Sequence, residues 1–129
     1  MKYGVIDIGS NSVRLLLSDG FETFYKIAEI TRLAKGMNGN GALVGKPADD
    51  TVTAVSFFVK KALADGAEKL FAFATSAVRT ALNGQEFCDR IFNVCGIRVE
   101  IASEETEAEI GYLGALGNTD GGVIDIGGG

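Results

Sequence analysis

Residues 3–18, YGVIDIGSNSVRLLLS, contain two apolar runs that are joined by a turn of small polar residues. The runs at 3–8 and 13–18 predict two buried strands that end or begin at this turn. A hairpin signal at Asp19-Gly20 then leads into residues 21–33, whose alternation predicts a third strand. The chain is therefore expected to open with an antiparallel meander of three strands.

Helical and strand patterns alternate after this meander. They predict a loop over 35–47, a helix that ends near Gly66, a strand over 70–74, a polar connection over 75–79, a helix that ends at Gly96, a strand over 97–101, and a helix from Ser103 to about Leu116. Three strands followed by alternating helices and strands predict a mixed five-stranded sheet with helices on its faces. This is the ribonuclease-H-like layout of the α/β class.

Polar residues mark the expected starts of the first two helices. Asp49 or Asp50 is expected to cap the first helix, and Asn83 the second, with Glu86 in a capping-box position. Their expected buried stripes are Val52, Val55, Val59 and Ala62 on the first helix, and Phe87, Cys88, Ile91, Val94 and Cys95 on the second.

Composition excludes several classes of function. The formal net charge is −5, which argues against a nucleic-acid partner. The chain has no histidine, so Ser-His and Cys-His mechanisms are excluded and a carboxylate is the expected acid–base group. No apolar run is long enough for a membrane span. Asp7 lies where the apolar stretch of a signal peptide would have to continue, so a cytoplasmic protein is expected. Cys88 and Cys95 are interpreted as reduced core residues.

The hexapeptide GVIDIG occurs twice, at residues 4–9 and again at 122–127. Each copy places one acid, Asp7 or Asp125, inside an apolar strand, where an unpaired charge is costly. Duplicated domains with facing glycine-rich turns explain the repeat, and domains over 1–119 and from 120 onward are expected. The turns predict phosphate-binding nests, and the two acids predict a Mg²⁺ site between them.

The sequence resembles the exopolyphosphatase and guanosine pentaphosphate phosphatase (Ppx/GppA) family of the actin-like ATPase superfamily. The resemblance lies in residues 7–12 (DIGSNS), 75–83 (TSAVRTALN), Glu107-Ala108 and 125–129 (DIGGG). It implies a Mg²⁺-dependent hydrolase that removes terminal phosphate from polyphosphate or guanosine pentaphosphate. The sequence does not decide between these substrates, and it gives no oligomeric state.

The resemblance also implies roles for individual residues. The implied phosphate ligands are Ser10, Asn11, Ser12, Arg79, Gly127, Gly128 and Gly129. The implied catalytic base is a glutamate on the helix after the strand at 97–101. Glu107 is preferred over Glu105 because Gly111 and Gly114 leave its face of the helix without bulk.

Two alternatives to this hydrolase stay open. The same loops occur in small-molecule kinases of the actin-like superfamily, and a non-catalytic polyphosphate- or nucleotide-binding regulator would retain similar phosphate loops. Because the family continues beyond a second glycine-rich loop, we expect residues 1–129 to be part of a longer protein. Alone, they are expected to be folded but inactive.

Overall fold

The computed structural model describes residues 1–37 and 39–103 of the chain. Its strands are β1 (Lys2–Ile8), β2 (Ser12–Ser18), β3 (Thr23–Ile30), β4 (Ala67–Ala74) and β5 (Val99–Ile101). Its α-helices are α1 (Gly45–Ala64), α2 (Ser76–Thr80) and α3 (Gly84–Cys95), and a short 3₁₀ helix covers Leu33–Gly36.

The strands form one mixed sheet in the order β3-β2-β1-β4-β5. The pairs β1–β2 and β2–β3 are antiparallel, which confirms the opening meander. The pairs β1–β4 and β4–β5 are parallel, as crossover connections through helices require. The predicted five-stranded, ribonuclease-H-like sheet is therefore confirmed.

The core lies between the sheet and helices α1 and α3. The four predicted stripe residues of α1 are all buried: Val52, Val55, Val59 and Ala62. They belong to one apolar cluster with Ile6 and Ile8 of β1. On α3 the prediction holds for Phe87, Cys88 and Ile91, whereas Val94 is 57% exposed. Burial raises the pKa of the Cys88 thiol to about 11, and the negative charge of Asp89 adds to this shift.

Helix α1 begins earlier than predicted. Its first residue is Gly45, and Val44 precedes it in an extended conformation, so neither Asp49 nor Asp50 is the cap. Pro47 is tolerated in the first turn because an N–H there has no partner within the helix. The two acids form ion pairs instead, Asp50 with Lys46 at 2.6 Å and Asp49 with Arg90 at 2.8 Å.

Asn83 stands at the start of α3, as predicted, but its side chain does not cap that helix. Its Oδ1 accepts the N–H of Leu43 at 2.7 Å, and its Nδ2 donates to the carbonyl oxygen of Leu43 at 2.9 Å. The side chain therefore pairs with an extended backbone segment as a neighbouring strand would. The predicted capping box with Glu86 is wrong.

Further boundaries differ from the prediction. Strand β4 begins at Ala67 rather than at residue 70. Strand β3 ends at Ile30 rather than at residue 33, because Arg32 takes a left-handed conformation and a 3₁₀ helix follows. The connection predicted over 75–79 contains helix α2, and β5 begins at Val99. The helix predicted beyond Ser103 and the proposed second domain lie outside the described residues. In the described part, no helix is long and apolar enough to cross a membrane.

Candidate active site

The carboxyl ends of the three parallel strands meet at one edge of the sheet. Beyond the last residues of β1 and β4, the N–H of Thr75 donates to the carbonyl oxygen of Ile8 at 3.1 Å. The N–H of Ala102 donates to the carbonyl oxygen of Ala74 at 2.8 Å, which brings the end of β5 to the same edge. Ligands of open α/β sheets bind at such edges.

Asp7 lies one residue before the end of β1, at this edge. It is directly opposite Arg14 on β2 and Phe73 on β4. The residue is half-buried and its Oδ1 atom is buried. A carboxylate oxygen in this position is the type of ligand that Mg²⁺ takes, so Asp7 fits the predicted metal site. Within residues 1–37 and 39–103, no three Asp, Glu, Cys or His side chains form a metal-binding group.

Hydrogen bonds within the turn and from the segment after β3 fix the turn between β1 and β2. The N–H of Gly9 donates to the carbonyl oxygen of Ser12 at 3.0 Å, which closes the turn. The carbonyl oxygen of Ser10 accepts the N–H of Ala34 at 2.9 Å, and that of Asn11 accepts the N–H groups of Thr31 and Arg32 at 3.1 and 2.9 Å. The carbonyl groups of the turn thus point toward the segment after β3.

Two backbone amide groups of the same turn are not used in hydrogen bonds between described residues. The N–H groups of Ser10 and Asn11 donate no hydrogen bond to any described residue. Successive backbone N–H groups in a tight turn form the concave sites that bind phosphate. This arrangement supports the predicted nest at Ser10, Asn11 and Ser12.

A basic side chain that the sequence analysis did not single out lies beside this turn. The Nε of Arg14 donates to the hydroxyl oxygen of Ser12 at 3.4 Å. The pKa of nearby Lys26 is lowered, chiefly by burial and also by the positive charge of Arg14. The available sequence signal was the position of Arg14, a basic residue in the strand directly after the turn that is predicted to bind phosphate.

Arg79 lies in the last turn of α2, which follows the end of β4. Its Nη1 donates to the carbonyl oxygen of Ala102 at 2.9 Å. The arginine therefore connects α2 to the segment after β5, and it lies at the same edge as Asp7 and the turn.

A second contact fixes the connection after α2. The N–H of Leu82 donates to the carbonyl oxygen of Gly41 at 2.9 Å, next to the paired hydrogen bonds between Asn83 and Leu43. The glycine-rich loop before α1 is thus attached to the residues that follow Arg79. No local sequence pattern indicates this role of Asn83.

The remaining predicted site residues lie outside the described part of the chain: Glu105, Glu107, Asp125, Gly127, Gly128 and Gly129. The structure thus brings Asp7, the turn at residues 10–12 and Arg79 to one edge, and leaves the second loop and the base as predictions.

Comparison with known proteins shows that the chain is similar to members of a phosphatase family over almost its whole length. The model of the Ppx/GppA phosphatase family matches residues 5–129. "Exopolyphosphatase 1" of Mycobacterium tuberculosis is 34% identical over an alignment of 139 positions, which covers 100% of this chain and 40% of that protein. "Guanosine-5'-triphosphate,3'-diphosphate pyrophosphatase" of Photobacterium profundum is 32% identical over 135 residues, 98% of this chain and 27% of that protein.

A solved structure from the same family has a similar fold. The crystal structure of the Aquifex aeolicus member of the Ppx/GppA family superposes with a TM-score of 0.80 at 31% identity, over 89% of this chain and 39% of that one. The chain thus spans well under half the length of these relatives.

Proposed function

The chain belongs to the Ppx/GppA phosphatase family, and on this premise we propose that the full-length protein releases terminal phosphate from inorganic polyphosphate or guanosine pentaphosphate. The observation that carries the proposal is the common edge of Asp7, the turn at residues 10–12 and Arg79. Relatives named for each substrate match the chain, at 34% and 32% identity, so both substrates belong to the proposal.

The turn and Arg79 are proposed to bind the phosphoryl group that is transferred. Backbone N–H groups of Ser10 and Asn11 donate to its oxygens, and the hydroxyl groups of Ser10 and Ser12 add side-chain donors. A guanidinium presents parallel N–H groups whose spacing matches phosphate oxygens. The bond from Nη1 to Ala102 fixes the orientation of this group. Gly127, Gly128 and Gly129 are proposed to form the facing loop.

Asp7 and Asp125 are proposed to hold Mg²⁺ between the two loops. The buried Oδ1 of Asp7, at the end of β1, supports its part in this site. When bound, the ion neutralises charge on the phosphate oxygens. The residues of the chain position the substrate and the attacking water.

Glu107 is proposed as the general base that orients and deprotonates this water. With no histidine in the chain, a carboxylate is the expected group for the step. The water attacks the terminal phosphorus in line with the bridging oxygen, and its proton passes to the carboxylate of Glu107. The bond from that phosphorus to the bridging oxygen breaks, and the shortened substrate leaves with the electron pair.

The proposal also covers the type of binding partner and the cellular location of the protein. With a net charge of −5, an anionic substrate has to be held by local groups and metal ions rather than attracted by the overall charge, and a nucleic-acid partner is disfavoured. We also propose a cytoplasmic location, as expected from the sequence.

The test is phosphate release by the full-length protein from polyphosphate and from guanosine pentaphosphate, with and without Mg²⁺. Residues 1–129 alone serve as the matched control and are expected to release little phosphate. Phosphate transfer from ATP to a small acceptor, with no hydrolysis of either substrate, would favour the kinase alternative. Tight substrate binding without turnover would favour the regulator.

A further inference from the structure

Arg32 adopts a backbone conformation that is unusual for its type. Its φ and ψ are 55° and 46°, in the left-handed region. In the part of the chain that the structure describes, it is the one non-glycine residue with a positive φ. The other positions with a positive φ are Gly20, Gly41, Gly45, Gly66 and Gly96. A side chain with a Cβ is sterically disfavoured in this conformation, whereas glycine is not.

The neighbours of Arg32 impose this conformation. Thr31 and Leu33 are both buried, and the hydroxyl of Thr31 accepts a hydrogen bond from that of Thr51 at 2.8 Å. The N–H groups of Thr31 and Arg32 both donate to the carbonyl oxygen of Asn11. The chain must therefore turn sharply at residue 32 to support the phosphate-binding turn.

The backbone requirement does not explain an arginine. Glycine would make the same turn without steric cost, and asparagine would make it at a smaller cost. Strained residues persist where the surrounding structure fixes them, and they concentrate at functional sites. The choice of arginine therefore indicates that its side chain has a function.

The position of the side chain suggests what that function is. Arg32 is exposed, and its guanidinium makes no ion pair or hydrogen bond with the described residues. Its backbone nitrogen is 2.9 Å from the carbonyl oxygen of Asn11, so the side chain starts next to the phosphate-binding turn. A guanidinium at this point suits an anion with several phosphates.

We propose that Arg32 is a substrate-binding residue that contacts a phosphate next to the one held by the turn at residues 10–12. This inference rests on the proposed function and adds a specific residue to it. Because this neighbouring phosphate carries the leaving oxygen of the bond that breaks, the contact contributes to the affinity for the substrate and, as charge develops on the leaving group, to the rate of the chemical step as well. A substrate with one phosphate gains nothing from it.

The test uses the full-length protein with Arg32→Gly, which removes the guanidinium and suits the backbone. We expect its Tm to equal or exceed that of the wild type, since the strain is relieved. The KM for polyphosphate, and the Kd for inorganic tripolyphosphate measured by calorimetry, should rise about tenfold to a hundredfold, the usual worth of a charged hydrogen bond. The kcat should fall as well, because the leaving phosphate loses a cationic partner.

Two further variants make the result specific. Arg32→Lys keeps the charge and the backbone strain but loses the parallel N–H donors of the guanidinium. Its Kd should therefore lie between those of the wild type and Arg32→Gly. Arg98→Gln removes one positive charge before β5, at the opposite end of that strand, and should leave the Kd unchanged.

The outcomes separate this inference from the proposed function. An Arg32→Gly variant with wild-type KM and wild-type Kd for tripolyphosphate would overturn the role of Arg32, while phosphate release by the wild type would still support the hydrolase. If the wild type releases no phosphate, the proposed function fails, and the tripolyphosphate titration alone still decides whether Arg32 binds phosphate.

Discussion

The guanidinium of Arg79 and the carbonyl oxygen of Ala102 are joined by a hydrogen bond of 2.9 Å, which connects helix α2 to the chain after β5. The residues that follow Ala102 include the proposed base. One arginine thus has two expected tasks, since it fixes the relative position of two segments and presents N–H donors at the carboxyl edge of the sheet. The first prediction separates these tasks.

Arg79→Ala in the full-length protein should lower both Tm and kcat/KM. We expect kcat/KM to fall at least tenfold, because a charged hydrogen-bond donor to phosphate is lost. Thermal melting and phosphate release, measured on the same samples, check the result. A lower Tm with unchanged activity of the folded fraction would show that Arg79 only anchors the segment after β5.

Gly84→Ala should disturb the site through the backbone. A Cβ on Gly84 would overlap the carbonyl oxygen of Val78, in the helix that carries Arg79. Relief of this overlap must move α2 or the start of α3, so we expect a loss of about 1–3 kcal/mol in the free energy of unfolding. Denaturant unfolding measures this loss.

The matched control for that variant is Gly39→Ala. No atom of the described residues lies within 4 Å of a Cβ built at Gly39, and the stability of this variant should be unchanged or slightly higher. Equal stability of the two alanine variants would contradict the close packing of α2 against α3.

The sheet, the buried face of the first helix and the position of one acid could be predicted from the sequence. The apolar patterns at 3–8 and 13–18 and the stripe of Val52, Val55 and Val59 gave the correct sheet and the correct helical face, because burial on one face imposes a local period. The Asp7 position followed from the same pattern, as an acid within a buried run.

Contacts between distant segments were beyond the sequence patterns. Asn83 stands where a cap is typical, yet its amide pairs with the backbone of Leu43. Asp49 likewise pairs with Arg90 rather than capping α1. The left-handed Arg32 has no local signal, since the conformation is imposed by buried neighbours and by bonds to Asn11. These features depend on tertiary contacts that a one-dimensional pattern does not contain.

Tyr25 should contribute to stability in a pH-dependent way. Its hydroxyl donates to Oδ2 of Asp65 at 2.8 Å. Burial, together with this bond, raises the pKa of Tyr25 from 10.0 to about 12. The bond from Tyr25, followed by that from Lys61, lowers the pKa of Asp65 below 3.8.

The sign of each effect follows from linkage. The tyrosine contribution is complete below pH 10.0 and is lost as the pH rises toward 12, and that of Asp65 is complete above its unfolded pKa and is lost as the pH falls below 3.8. Tyr25→Phe should therefore lower Tm most between these limits. Melting curves from pH 3 to pH 11 test this, and a Tm difference that is constant over this range would refute it.

Asp7→Asn in the full-length protein should lower activity greatly and weaken its dependence on Mg²⁺. The amide keeps the shape of the carboxylate but provides a weaker ligand for the cation. Melting curves with and without Mg²⁺ supply a second readout, since the ion should raise the Tm of the wild type more than that of the variant. If Asp7 is only a buried structural acid, Tm should fall while the activity per folded molecule stays unchanged.

Glu107→Gln gives the sharpest test of the proposed chemistry. Glutamine keeps the size of glutamate but cannot accept the proton of the attacking water, so substrate binding should persist while kcat falls by about 10² to 10⁴, the usual contribution of a positioned general base. Glu105→Gln is the matched control. Acids in the first turn of a helix favour its dipole, which explains Glu105 without a catalytic role.

The position of Glu107 in the sequence supports this choice between the two acids. Gly111 and Gly114 follow it on the same face of the predicted helix, where each costs roughly 1 kcal/mol relative to alanine. A helix face without side chains next to a carboxylate leaves room for a phosphate chain. Single-turnover measurements with saturating substrate separate the chemical step from binding. Loss of turnover in Glu105→Gln, with turnover near that of the wild type in Glu107→Gln, would identify Glu105 as the base. Full activity of both variants would reject a carboxylate base on this helix.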